Sequence, residues 1–301
     1  MQRYLPRHRP PLEFRPRAER PGRGLRVRWL GAAGHVVQTE TTTVLLDPFL
    51  TRPGLLRTAS ARLKPTPERW WRWLPERVDA ICCGHSHYDH LLDAPEIARR
   101  TGALLLGSRT TASFARAHGL RPAQIVEVPP EGLTRRVGDV EIRFVPSRHG
   151  RIVAGRVPFP GEVERPPMLP ARVFHYRMGG AYGVHLTTPF GCLYHNGSAD
   201  LIDAELTELR ADTILVGLAG RRSTPDYLGR LLRLLRPRLV VPTHHDLFFA
   251  PLETGVRLLP GVALDRFVAE VGGAGRVVMP TYEDVLTIPA GDPRDATFAP
   301  L

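Results

Sequence analysis

Apolar residues recur at every second position in "LRVRWLG", where Leu25, Val27 and Trp29 alternate with Arg26 and Arg28. A period of two marks a strand with one face on a core. "TTTVLLDPFL" predicts a second strand ending at Asp47-Pro48, "ALLLGS" and "IVEVP" two more, and a hairpin at Gly138-Asp139 leads into "VEIRFVPSRHG". Helical spacing appears in "APEIARRT", with Asp93 and Glu96 placed as a capping box and Gly102 as the stop, and again in "TTASFARAHG". Pro67 and Pro75 bracket a predicted two-turn helix carrying Trp70, Trp71 and Trp73.

Further along, "VFHYRM", "YGVHLTT" and "GCLYH" predict three strands. "NGSADLIDAELTELRAD" reads as a loop running into a helix capped by Asp203, and "TILVGLAG" as a buried strand. Thr224-Pro225 opens a helix ending before Pro237, and "RLVVPTHHD" is a strand closed by two histidines. Strands, βα units, strands and βα units again predict an α/β domain over 25–301, its two similar halves facing each other sheet to sheet with helices outside. Residues 1–24, rich in arginine and proline without a period, predict a surface arm or a disordered one. Residues 150–172 are dense in proline and glycine, the composition of a long functional loop.

A chain of 301 residues with 43% hydrophobic content can bury a full core. No run approaches the roughly 18 apolar residues of a membrane span, and "MQRYLPRHRPPLEF" lacks the apolar stretch of a secretory signal, so a cytoplasmic protein is expected. Cys82 and Cys83 are strand neighbours facing opposite ways and Cys192 stands alone, which fits small buried hydrophobes. The net charge of +11 suggests nucleic acid or an anionic membrane, with the tryptophans as an interface anchor. The basic residues are nearly all arginine and are scattered outside the arm, which puts both partners behind a small anionic substrate.

The chemistry is concentrated in "ICCGHSHYDHLLD". In an extended segment His85 and His87 lie on one side, about 7 Å apart along the chain, and Asp89 and His90 follow where the chain turns into a helix. Two imidazoles with a carboxylate-imidazole pair beyond them can serve two metal ions side by side.

"HSHYDH" resembles the H-x-H-x-D-H motif of the metallo-β-lactamase superfamily, whose members form a four-layer αββα sandwich. The likeness runs from about Leu25 to Ile288. "DHLLDAPEIARRTGA", "GSAD" and "PTHHDLF" are most similar to the branch containing ascorbate-6-phosphate lactonase and N-acyl-phosphatidylethanolamine phospholipase D. The resemblance implies one ion on His85, His87 and His149 and a second on Asp89, His90 and His244, with Asp47 orienting the histidines. It implies Zn²⁺ first, with Mn²⁺ or Fe as substitutes, in one or two copies. His244 is chosen over His245 by spacing from Pro242. His245 is then a pocket residue, Asp246 a partner standing behind the ligands, and His35 lies near the site, in the core or on the surface.

The chain departs from the family at Ser198, where "NGSAD" replaces the usual aspartate that bridges the metals. Asp200 is the candidate substitute, or else a helix cap. The resemblance implies hydrolysis by a metal-bound hydroxide, with Asp89 holding the nucleophile and His245 or Tyr88 moving protons. Arg148, Arg151 and Arg156 are candidates for binding an anionic ester, lactone or phosphodiester. Metal binding without turnover, a lipid phosphodiesterase and a nucleic-acid binder are the alternatives.

Overall fold

Residues within single strands divide between different apolar layers. In Thr43–Leu46 and Ala80–Cys82, Val44, Leu46, Ala80 and Cys82 join one cluster while Leu45 and Ile81 join another, and Cys83 follows Ile81. Strands buried on both faces need continuous apolar runs, which "TVLL" and "AICC" provide. The computed structural model describes residues 5–18, 22–152 and 154–301.

One sheet has eight strands. Gly24–Gly31 pairs antiparallel with Asp284–Pro289 on one side and with Gly34–Gln38 on the other. Thr43–Leu46 comes next, followed by Ala80–Cys82, Leu104–Gly107 and Ile125–Glu127, all parallel to it. The second sheet has seven strands, with Val140–Pro146, Tyr182–Thr188 and Gly191–Asn196 antiparallel in turn. Thr213–Gly217, Leu239–Thr243 and Arg276–Val277 then extend it in parallel.

Leu25, Val27 and Leu46 of the first sheet meet Ile142, Val184 and Leu215 of the second in the shared middle layer. Ala94–Thr101 and Arg109–Ala117 cover the outer face of the first sheet, and Tyr227–Leu235 and Leu264–Val271 that of the second. The result is a helix-sheet-sheet-helix sandwich. The last strands, Asp284–Pro289 and Thr297–Pro300, return to the first sheet, so its strands come from both ends of the chain.

Several local expectations are corrected. A strand at Gly34–Gln38 intervenes between the first two predicted. Arg28 is buried, not solvated, because Trp73 covers it and its guanidinium donates to the Trp73 carbonyl. The tryptophan segment is a single 3-10 turn, Pro67–Arg69, rather than a two-turn helix; Trp70 and Trp73 enter the core and Trp71 is 57% exposed. "VFHYRM" forms a 3-10 turn at Val173–His175, not a strand.

The capping box does not form. Asp93 stands at the helix start, but its carboxylate accepts from the Leu50 and Thr51 amides and the Thr51 hydroxyl, while Glu96 pairs with Arg99 and Arg100. Asp203 lies inside a four-residue helix and pairs with Arg230 instead of capping. The arm lies on the surface where it is described: His8 donates to the Val256 carbonyl, and Arg15 and Arg17 pair with Asp284. Residues 1–4 and 19–21 of the arm, and Val153 of the long loop, lie outside the described residues.

Candidate metal centre

Each expected ligand stands just past the C-terminal end of a strand. Ala80–Cys82 runs into the segment from Gly84 to His90, Val140–Pro146 into His149, and Leu239–Thr243 into His244. There His85, His87 and His149 form one set and Asp89, His90 and His244 another, the ligand atoms of each set lying within 4.8 Å of one another. The sets adjoin: the His85 and His90 rings are 3.7 Å apart at their centres, and His244 Nε2 is 3.3 Å from Asp89 Oδ2.

Bonds on the far side of each ring decide which nitrogen is available. His87 Nε2 donates to the Pro158 carbonyl at 2.8 Å, and His149 Nδ1 to the Gly150 carbonyl at 2.7 Å. A carbonyl only accepts, so the lone pair is left on Nδ1 of His87 and on Nε2 of His149. His90 Nδ1 lies 3.0 Å from Asp47 Oδ2, and its Nε2 is on the side of Asp89. His85 is fully buried with no partner at either nitrogen among the described residues. A buried ring nitrogen without a partner is costly unless a cation takes its lone pair, so these residues fit metal binding.

Electrostatics favours the ligating forms of the first set and of the two carboxylates. Burial drives the His85 pKa well below its ordinary value, and burial with neighbouring histidines lowers His87 to about 4. His149 also falls to about 4, through burial, so the first set is neutral at pH 7. Burial would raise the carboxyls of Asp47 and Asp89, but His90 and the bonds around them outweigh it and hold both below the usual range. His90 shows the converse: burial lowers its pKa, and Asp47 and Asp89 together raise it.

Asp47 is held by three groups. It accepts from the Gly84 amide at 2.7 Å and from His195 Nε2 at 3.0 Å, and it faces His90. Its φ of 42° is left-handed, a strain of about 1–3 kcal/mol for a residue with a side chain. Gly197 allows this approach, since a Cβ there would sit 3.0 Å from Asp47 Oδ2. His195, which the motifs do not reveal, joins the arrangement through Asp47. The available signal was its place two residues after Leu193 at the end of Gly191–Asn196, which puts it on the same face as that middle-layer leucine. His35 is also buried, donates Nδ1 to the Ala33 carbonyl, and packs edge-on to His195 at 5.4 Å.

Other candidates lie elsewhere. Asp200 is not among the ligand sets: its carboxylate accepts from the Leu201 amide and stands 3.9 Å from Arg230, because the strand ends at Asn196 and the chain turns away. Ser198 is buried and its hydroxyl bonds to Asn196 Oδ1, although its carbonyl accepts from the Gly150 amide beside His149. His245 is buried and stacks on Trp29 at 4.5 Å, and burial lowers its pKa to about 4. Tyr88 packs edge-on to Phe49 in the outer core, where burial, then Asp89, raises its phenol well above the ordinary value.

Asp246 lies behind the ligand His244, joined to it through Ala32. It forms a buried ion pair with Arg52 and accepts from Tyr282 at 2.7 Å and from the Ala32 amide at 2.8 Å. Gly31 is required here, since a Cβ would strike the Arg52 guanidinium and its φ is +79°. The Ala32 carbonyl in turn accepts from the His244 amide, so the pair braces the turn carrying that ligand. Arg148, Arg151 and Arg156 are exposed, the first two flanking His149 along the chain and the third further on in the loop.

Residues 27–244 match the metallo-beta-lactamase superfamily, and the chain belongs to it. It is 29% identical over 242 residues to a UPF0173 metal-dependent hydrolase of Methanopyrus kandleri, spanning 76% of this chain and 87% of that protein. A Myxococcus xanthus protein of the same description is 27% identical over 74% of this chain and 71% of its own length. Among solved structures, the metallo hydrolase Igni18 of Ignicoccus hospitalis superposes with a TM-score of 0.54 at 19% identity, over 92% of this chain and all but 1% of that one. CmlA of Streptomyces venezuelae, a diiron β-hydroxylase, gives 0.55 at 15% identity over 87% of this chain and 55% of its own. These structural likenesses establish the shared fold.

Proposed function

We propose that the protein is a metal-dependent hydrolase acting in the cytoplasm on an ester, lactone or phosphodiester of a small anionic molecule. The observation that carries this reading is the pair of adjoining ligand sets, with His85 unpartnered at both nitrogens. The description of the UPF0173 relatives supports the reaction class. The likeness of "DHLLDAPEIARRTGA" and "PTHHDLF" to the branch of ascorbate-6-phosphate lactonase favours a cyclic ester or a phosphodiester.

His85, His87 and His149 would hold one ion and Asp89, His90 and His244 the other, Zn²⁺ first and Mn²⁺ or Fe as substitutes. When bound, such a cation acidifies a ligated water to a pKa of about 7 and polarises a carbonyl or phosphoryl oxygen. Asp89, kept charged by His90 and His244, would orient a water held at that site. Asp47 holds the His90 ring in register and favours donation from its Nε2. Arg148, Arg151 and Arg156 attract the anionic substrate.

Chelator-stripped protein should be inactive against a panel of lactones, aryl esters and phosphodiesters and should regain turnover with Zn²⁺. His87→Ala should reduce that turnover to background. Turnover that persists after stripping or in His87→Ala would reject the reading, and metal binding with no turnover on any of these would favour a binding protein. Steeply salt-dependent binding of DNA or RNA would point instead to the basic arm.

A further inference from the structure

The two ligand sets carry little negative charge. Five imidazoles and one carboxylate, Asp89, supply the six ligand atoms, and all six side chains are buried. Two divalent ions would bring four positive charges against that single negative one, and Asp47 behind His90 together with one hydroxide would offset only two more. An excess of this size in a desolvated site requires a compensating anion.

No other acidic side chain of the site supplies it. Asp200 is turned to the Leu201 amide and Arg230, and Asp246 is neutralised by Arg52. Ser198, whose carbonyl bonds the chain beside His149, presents a neutral hydroxyl committed to Asn196. The nearest charges along the chain, Arg148 and Arg151 on either side of His149, are positive as well.

We propose that the substrate itself completes the charge of the centre: the short, neutral Ser198 leaves it deficient, and an oxyanion, a carboxylate or phosphate group, supplies the missing charge from outside. This rests on the metal-binding part of the proposed function. The protein therefore takes its second ion tightly only together with an oxyanion.

The test is calorimetric titration of metal-free protein with micromolar Zn²⁺ in a chloride buffer, alone and with inorganic phosphate or acetate. Without an oxyanion the second ion should bind at least tenfold more weakly than the first, and an oxyanion should tighten it tenfold or more. Phosphate acting without acetate would identify a phosphate-bearing substrate, and both acting a carboxylate-sized anion. Ser198→Asp should tighten the second ion in chloride alone and remove the oxyanion effect, while Ser198→Ala should retain it.

Two equally tight ions in chloride, or a second ion indifferent to both oxyanions in the wild type, would overturn the proposal even if Ser198→Asp fails to fold. Neither result depends on turnover. A protein that shows the oxyanion effect but hydrolyses nothing would refute the hydrolase reading alone.

Discussion

Asp246→Asn isolates one charge in a place where the structure allows its cost to be worked out. The wild-type carboxylate pairs with Arg52, both side chains being essentially fully buried, and accepts from Tyr282 and the Ala32 amide. Asparagine keeps the shape and one acceptor but leaves the Arg52 guanidinium with neutral partners alone among the described residues, the Ala250 and Leu247 carbonyls and the Tyr282 hydroxyl. Removing one partner of a buried pair costs about 3–5 kcal/mol, because the other charge stays buried without compensation. At about 2 °C per kcal/mol for a large domain, Tm of the metal-free protein should fall by roughly 6–10 °C.

The double variant Arg52→Met with Asp246→Leu should recover much of that loss, since no charge is then stranded. Thermal unfolding followed by circular dichroism measures both. Zinc titration should also show weaker binding in Asp246→Asn, because the Ala32 backbone braces His244. A Tm within 2 °C of wild type for Asp246→Asn would refute the argument that the pair holds the turn.

Asp47→Asn should lower zinc affinity about 10–100-fold with little change in fold, as loss of a partner behind a ligand histidine does elsewhere, and competition with a chromophoric chelator reads it. Asp93, raised to about 6 mainly by burial against an ordinary 3.8, binds its proton more tightly in the folded state, so its contribution is full below about pH 4 and lost as pH rises through 6. The stability difference between wild type and Asp93→Asn, from urea unfolding, should therefore shift against wild type by roughly 3 kcal/mol between pH 4 and 7, and a flat difference would contradict it. Trp70→Ala should cost about 3–5 kcal/mol and Trp71→Ala about 0.5 or less, because only the first side chain fills the core; equal effects in unfolding assays would place both on the surface.

Local order carried much of the information. The alternation in Gly24–Gly31, the apolar runs of Thr43–Leu46 and Ala80–Cys82, and the left-handed stop at Gly102 follow from chain periodicity and steric preference. Four members of the metal centre stand within six consecutive residues, so that part of the site is legible from the sequence alone.

The rest depends on partners distant in sequence. Asp93 serves Leu50 and Thr51 rather than its own helix, and Asp246 binds Arg52 across 194 positions. Asp200 turns away from the ligands because its strand stops at Asn196. His195 reaches Asp47 over 148 positions, since the ends of two strands in facing sheets meet there. A polar side chain takes its role from whichever group can satisfy it after burial, and burial is decided by how the layers stack, not by its neighbours along the chain.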